Sequence, residues 1–410
     1  MFRDVLLQSE SYTRTDMLYL TKGGFWLSVA RIVGMATSLL LAVAMANLLT
    51  PQVYGTYRFV LAGAGIIGAF SLFGMGTAVT RAVAQGYEGV LRAGRKEMLR
   101  WGIFIALMSF GAALYYFLNG NIELATSFAI VGIFHPLFSS FLLYGSFIAG
   151  KKDFKTQAIY SSVQNAIPAA LLAGTVFFTN SPVLVVLAYF ASQAGIAFVL
   201  YVATLRVFRP NDSVDAHTLR YGKHLSLMGI IGKVAENLDK VLVFHYVGAA
   251  ELAIYAFALT PITHLKMLND IPAQLAFPKL SERPIPELRR TLPRKVLLLS
   301  AGMALIALMY AMSAPYIFQL IFPQYISSVF FTQVLAFTLI PAPFILFNQV
   351  LVAHMKKREL YISRIALPVL KIGLLLILLP LFGIWGAVSA IIITQIASMI
   401  LYGLQLWRAA

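Results

Sequence analysis

Apolar residues run through this chain in blocks of roughly twenty or more, each followed by a short polar interruption. About twenty apolar residues in helical form are needed to cross a bilayer's hydrocarbon. Runs of that length are also too long to read as strands. Twelve spans follow, at 24–48, 54–80, 99–118, 124–149, 157–178, 183–205, 222–247, 252–278, 295–318, 327–353, 359–380 and 383–407. The pattern predicts an all-α polytopic membrane protein.

The polar interruptions alternate in charge. Every second connection and both termini are basic, as in Arg81, Arg92, Arg95, Lys96 and Arg100, or Lys356, Lys357, Arg358 and Arg364. The intervening connections (49–53, 119–123, 179–182, 248–251, 319–326 and 381–382) carry no Lys or Arg. Twenty-six of the 32 cations fall on one side. Cytoplasmic loops collect Lys and Arg, so both termini are expected in the cytoplasm, with the chain in the plasma (inner) membrane. Residues 1–22 are mixed polar and lack the apolar core of a cleavable signal, so the first span is expected to serve as an uncleaved one.

The two halves resemble each other at an offset of 198: Tyr57 falls on Tyr255, Phe59 on Phe257, Leu61 on Leu259, Gly24 on Gly222 and Ser28 on Ser226. Six spans per half give both halves the same orientation. The expectation is two six-helix bundles, 1–209 and 210–410, related by a pseudo-two-fold along the membrane normal, with substrate bound between them near the midplane.

Composition changes this picture little. The chain is 60% hydrophobic and 12% charged over 410 residues, far from a soluble domain. The net charge of +16 comes mostly from the basic connections, which removes nucleic acid as a partner. Cysteine is absent, which excludes disulfides and thiolate chemistry.

Several stretches imitate catalytic motifs. "GAGIIG" (63–68) has the glycine spacing of a dinucleotide loop but lies inside an apolar span, where close helix packing by small residues explains it. "GSFIAGKK" (145–152) has Lys152 where a phosphate loop needs Ser or Thr. "NDS" (211–213) lies on the expected cytoplasmic side, where it is no glycosylation site. His135 and His264, next to prolines, read as helix-packing residues.

Buried charge is the informative chemistry. Six cations remain within spans, Arg31, Arg58, Lys233, Lys240, Lys266 and Lys371, against the acids Glu236, Asp239 and Asp270. The seventh span alone holds four charges, which cost on the order of +12 kcal/mol, while its aliphatic and Phe side chains return only about −5. It must face protein or water. At 100° per residue, Lys233, Glu236 and Lys240 share a stripe about 60° wide. Asp239 points off it, toward another helix. Lys266, Asn269 and Asp270 share a second face; Gln164, Asn165 and Asn348 add polar groups in other spans. Internal salt bridges, with Glu236–Lys240 as their pattern, are one reading. A water-filled cavity with about three surplus positive charges, matched to a pyrophosphate or acidic sugar, is the other. Prolines inside spans, among them Pro136, Pro168, Pro261, Pro272, Pro341, Pro343 and Pro368, provide bend points for alternating access.

"ANLLTPQVYGTYRFVLAGAGIIGAFSLFGMGTAVTRAVAQ" (46–85) resembles the Wzx-like polysaccharide flippases of the MOP exporter superfamily: a short turn with Tyr54-Gly55-x-Tyr57, a Gly-rich span and a basic exit at Arg81. "NLDKVLVFHYVGAAELAIYAFA" (237–258) looks like the same family's seventh and eighth spans. The resemblance implies a transporter, not an enzyme. It would move a polyprenyl-(pyro)phosphate-linked oligosaccharide across the plasma membrane for cell-surface polysaccharide biosynthesis. The partners implied are that substrate, membrane lipid and other polysaccharide-assembly proteins; a monomer is expected. No cofactor is implied beyond H+ or Na+ coupling. The charge argument assigns Arg31, Arg58, Lys233, Lys240, Lys266 and Lys371 to substrate binding. It assigns Glu236, Asp239 and Asp270 to ion coupling, and Gln164, Asn165, Asn269 and Asn348 to a polar cavity lining. The alternatives are a multidrug or cation antiporter of the same superfamily, which needs an acidic cavity, and a lipid II flippase, whose family usually has fourteen spans.

Overall fold

The computed structural model describes residues 17–269, 280 and 282–408, the side chains of 17–22 and 216 aside. The described residues form helices and no strands. In chain order these are α1 (Met17–Leu48), α2 (Pro51–Gly68), α3 (Met75–Ala84), α4 (Val90–Leu118), α5 (Ile122–Phe141), α6 (Leu143–Gly150), α7 (Phe154–Phe178), α8 (Pro182–Phe208), α9 (Ala216–Tyr246), α10 (Ala249–Lys266), α11 (Ile285–Ile321), α12 (Ser328–Ala336), α13 (Ile345–Ala353), α14 (Lys357–Phe382) and α15 (Ile384–Arg408). Among the described residues, nine segments are long and apolar enough to cross a membrane, with α5 and α6 counted as one and α12 and α13 as another. The predicted second, seventh and eighth spans are not among the nine. In α9 the four mid-helix charges keep the segment polar; α10 carries Glu251, His264 and Lys266, and residues 270–279 lie outside the described part.

Element ends follow local chemistry. Asn121 caps α5 by accepting from the Leu124 N–H at 3.0 Å, and Asp153 caps α7 by accepting from the Thr156 N–H at 3.0 Å. The predicted span 54–80 is not one helix: it stops at Gly68, turns with Leu72 in the left-handed region, and resumes as α3. The span 327–353 is broken by two 3-10 turns, Phe337–Leu339 and Ala342–Phe344, around Pro341 and Pro343.

The basic connections are partly helical. α11 starts at Ile285, ahead of the predicted span at 295. Its first turns bury Ile285, Leu288, Leu292 and Val296 at helical spacing, leaving Arg290 and Arg294 on the other face. α4 likewise begins at Val90 and buries Val90, Leu91, Gly94 and Met98.

Contacts divide the chain elsewhere than at 209/210. One unit holds the described residues up to Leu48 and Ile67–Met228; the other holds Leu49–Ile66 and everything described from Gly229 on. α2 joins the second unit because its aromatic face packs there. Tyr54 stacks on Phe257 with centroids 4.6 Å apart, and Phe59 stacks on Phe244 at 3.9 Å. Glycine permits the approach: a Cβ on Gly55 would lie 1.7 Å from the Ala249 carbonyl oxygen, and one on Gly65 2.8 Å from Asn237 Nδ2. Residues 210–228 stay with the first unit through Lys223–Glu97 at 2.6 Å and the Gly74 N–H donating to Ser226 Oγ at 3.0 Å. The first unit's core includes Met75, Val79, Leu91, Phe147 and Ile148. The second packs Ile285, Val296, Val350 and Leu406.

Candidate functional site

The second unit gathers buried charge around one carboxylate. Asp239 on α9 is 2% exposed. Its Oδ2 accepts from the Tyr255 hydroxyl of α10 at 2.8 Å, and its Oδ1 accepts from Lys240 Nζ at 3.3 Å. Lys371 of α14 lies 3.8 Å from Oδ2 and donates to the Ala235 carbonyl at 2.7 Å. Lys240 also donates to the Glu236 carbonyl at 3.1 Å. Arg58 of α2 sits 6.0 Å over the Tyr54 ring, and its buried Nε has no hydrogen-bond partner. Arg58 and Lys371 are near enough to Lys240 to repel it, and Lys371 repels Lys266 at the end of α10.

Among the described residues this arrangement carries more positive charge than the one carboxylate balances. Unit charges about 4 Å apart near a protein surface interact by ~4 kcal/mol, so the cluster is repulsive unless an anion or water enters.

Not every predicted residue joins it. Lys233 pairs with Glu236 at 2.7 Å, one turn along α9 and well exposed, so the two neutralise each other. The Glu236 carboxylate therefore meets Lys233, and Lys240 reaches only the Glu236 backbone. Asn269 is buried and donates to the Ala342 carbonyl at 3.0 Å, while Asn348 Oδ1 is buried without a partner. Asp270 lies outside the described residues. Arg31, Gln164 and Asn165 belong to the first unit. Arg31 is exposed and makes no ion pair among the described residues. Gln164 donates to Gln193 Oε1 at 2.6 Å and to its carbonyl at 3.2 Å.

Two groups escaped the sequence reading. Tyr255 was legible only as the repeat partner of Tyr57, with nothing to show that its hydroxyl would hold Asp239. Thr37, Ser38, Tyr189 and Gln193, which line a cavity with Asn165, carry no charge to draw attention.

A family profile described as "Polysaccharide biosynthesis protein" matches residues 20–283, more than half of the chain. The chain belongs to this family. A curated relative, the putative O-antigen transporter of Shigella flexneri, is 22% identical over 301 residues, covering 66% of this chain and 70% of that protein. Among solved structures, the inward-facing conformation of a MATE-family multidrug resistance transporter of the MOP superfamily matches with a TM-score of 0.68 at 15% identity, covering 94% of this chain and 97% of that one. The lipid II flippase MurJ, in an inward closed conformation, matches at 0.67 and 11% identity over 93% and 87%. A MOP superfamily transporter from Pyrococcus furiosus, described for the reverse polarity of its binding pocket, matches at 0.61 and 14% over 94% and 96%. The chain is thus a multi-pass membrane protein of this family with the fold seen in MOP superfamily transporters. Near-equal scores against a drug exporter and a lipid flippase leave the choice of cargo to the site's chemistry.

Proposed function

We propose that this protein is a flippase that moves a polyprenyl-(pyro)phosphate-linked oligosaccharide across the plasma membrane by alternating access, for cell-surface polysaccharide biosynthesis. The observation that carries the reading is the surplus, among the described residues, of Arg58, Lys240, Lys266 and Lys371 over the carboxylate of Asp239. A pyrophosphate supplies the missing negative charge through charge-assisted hydrogen bonds. In its absence Asp239, held by Tyr255, is the internal counter-ion of Lys240 and Lys371. Arrival of the anion draws the ammonium groups off Asp239 and leaves its carboxylate to take a proton or sodium ion, which couples the step to a gradient. The polyprenyl tail stays in lipid. Arg31 and Lys233 assist at the surface rather than in the cluster. The protein works as a monomer with cytoplasmic termini, alongside other polysaccharide-assembly proteins.

Proteoliposomes carrying a fluorescent polyprenyl-pyrophosphate oligosaccharide test this. Hydrogen bonds to a charged group contribute about 1.5–3 kcal/mol each, so Lys240→Ala and Lys371→Ala are each expected to slow flipping by roughly ten- to a hundredfold. Unchanged flipping in the Ala variants of Arg58, Lys240, Lys266 and Lys371 defeats the proposal. The multidrug reading rests on the MATE likeness, but a cationic drug is repelled by this cluster. Drug resistance conferred on a sensitive host would favour it.

A further inference from the structure

The first unit carries a half-open cavity of about 140 Å³ that, among the described residues, no charged side chain lines. Its construction is read directly from helical spacing. α1 presents Gly34, Thr37, Ser38 and Leu41, and α7 presents Asn165, Pro168, Ala169 and Leu172, each at i, i+3, i+4, i+7. α8 adds Tyr189 and Gln193, one turn apart.

The Thr37, Ser38 and Asn165 polar groups are left open toward this space. Thr and Ser hydroxyls in these helices commonly bond back to their own backbone, as Thr175 and Ser192 do. Thr37 and Ser38 form no hydrogen bond among the described residues, and neither does the Asn165 amide. Gln193 is held in place from behind: its Oε1 accepts from Gln164 Nε2 at 2.6 Å, and Tyr144 donates in turn to Gln164 Oε1 at 3.4 Å. That orients the Gln193 amide and leaves its NH2 unused.

The lining excludes most ligand classes. It has no carboxylate for a cation and no basic group for an anion. An apolar ligand would cover two hydroxyls and two amides without pairing them, at a cost. Hydroxyls, amides, a phenol and an apolar wall from Leu41, Pro168 and Leu172 suit a ring with polar edges and C–H faces. At about 30 Å³ per water the cavity has room for roughly five waters, well below the ~300–1,000 Å³ of drug-sized pockets. That suits one sugar unit.

We infer that this cavity is a subsite for one neutral sugar residue, a hexose or N-acetylhexosamine, with Thr37, Ser38, Asn165 and Gln193 reading its hydroxyl and amide groups. The inference deepens the flippase reading and rests on it for the cargo. Its chemistry is separate from the phosphate-binding cluster.

The test uses methyl glycosides of neutral hexoses and N-acetylhexosamines with the purified full chain in detergent, read by saturation-transfer NMR. The probes carry no phosphate, so failure of the Lys variants in flipping leaves this result untouched. At least one glycoside is expected to bind saturably. Thr37→Val and Asn165→Leu are each expected to weaken it tenfold or more. Ser38→Ala, which removes one hydroxyl from an exposed position, is expected to weaken it severalfold with an unchanged melting temperature. Absence of binding by every glycoside at millimolar concentration, or binding that survives Thr37→Val and Ser38→Ala unchanged, overturns the inference.

Discussion

At the scale of single residues, Asp239 organises the charge of the second unit. Three donors from three helices meet its two oxygens, and Tyr255 has the shortest contact at 2.8 Å. Tyr255 is fully buried, so its hydroxyl has no water to turn to. Tyr255→Phe removes one hydrogen bond to a charged acceptor and little packing. It is expected to lower unfolding stability by about 1.5–3 kcal/mol in a reversible detergent titration. A loss below ~0.5 kcal/mol would show that the lysines hold Asp239 unaided. Spacing put both Lys233 and Lys240 within reach of Glu236 and did not decide between them; the structure pairs Glu236 with Lys233. The Asp239 contacts were not accessible from spacing, since Tyr255 and Lys371 come from other helices.

At the scale of elements, the connection from α8 to α9 is held by side chains. Glu88, just before α4, pairs with Lys151 at 2.6 Å and accepts from the Asn211 N–H at 3.1 Å. The Asn211 side chain answers by accepting from the Glu88 N–H at 3.2 Å and donating to the Gly86 carbonyl at 3.1 Å. Arg92 meets Asp212 beside them. "NDS", which looked like a sequon, is thus part of a loop clasp. The hydrogen bond from Lys151 outweighs burial and holds the Glu88 carboxyl below its ordinary value of 4.5. A depressed carboxylate stabilises the fold above its unfolded value and loses that contribution as pH falls through the folded one. The wild-type melting temperature is therefore expected to drop on acidification below pH 4.5. Glu88→Gln is expected to melt lower at neutral pH and to lose less of its stability on that descent. An identical acid slope in the two proteins would remove Glu88 from the account. The same scale explains the predicted spans that moved: α4 and α11 extend into the basic connections because apolar residues continue there at helical spacing beneath the charges.

At the scale of the whole molecule, the charge asymmetry of the connections makes a claim about orientation. A fluorescent protein fused after Ala410 is expected to fold and fluoresce, and alkaline phosphatase at that position to be inactive. Phosphatase inserted at Gly120, in a connection without Lys or Arg, is expected to be active. The reverse pattern would invert the topology. The fold is shared with a MATE exporter and with MurJ at TM-scores of 0.68 and 0.67, so global architecture is neutral about cargo. The proposal on cargo rests instead on the cation cluster and the uncharged cavity.

The sequence by itself determined that the chain is helical and crosses a membrane many times, and set the expectation that most of its cations share one side. Each of those properties is a sum of local transfer costs, and such sums are readable in any window of about twenty residues. Tertiary structure alone decided that α2 packs with the later helices, that Glu236 spends its charge on Lys233, and that Tyr255 and Lys371 come to Asp239. It also decided that three polar faces from α1, α7 and α8 line one half-open cavity. Pairing depends on which side chains distant helices bring within hydrogen-bond reach, and no local sum of polarity contains that distance.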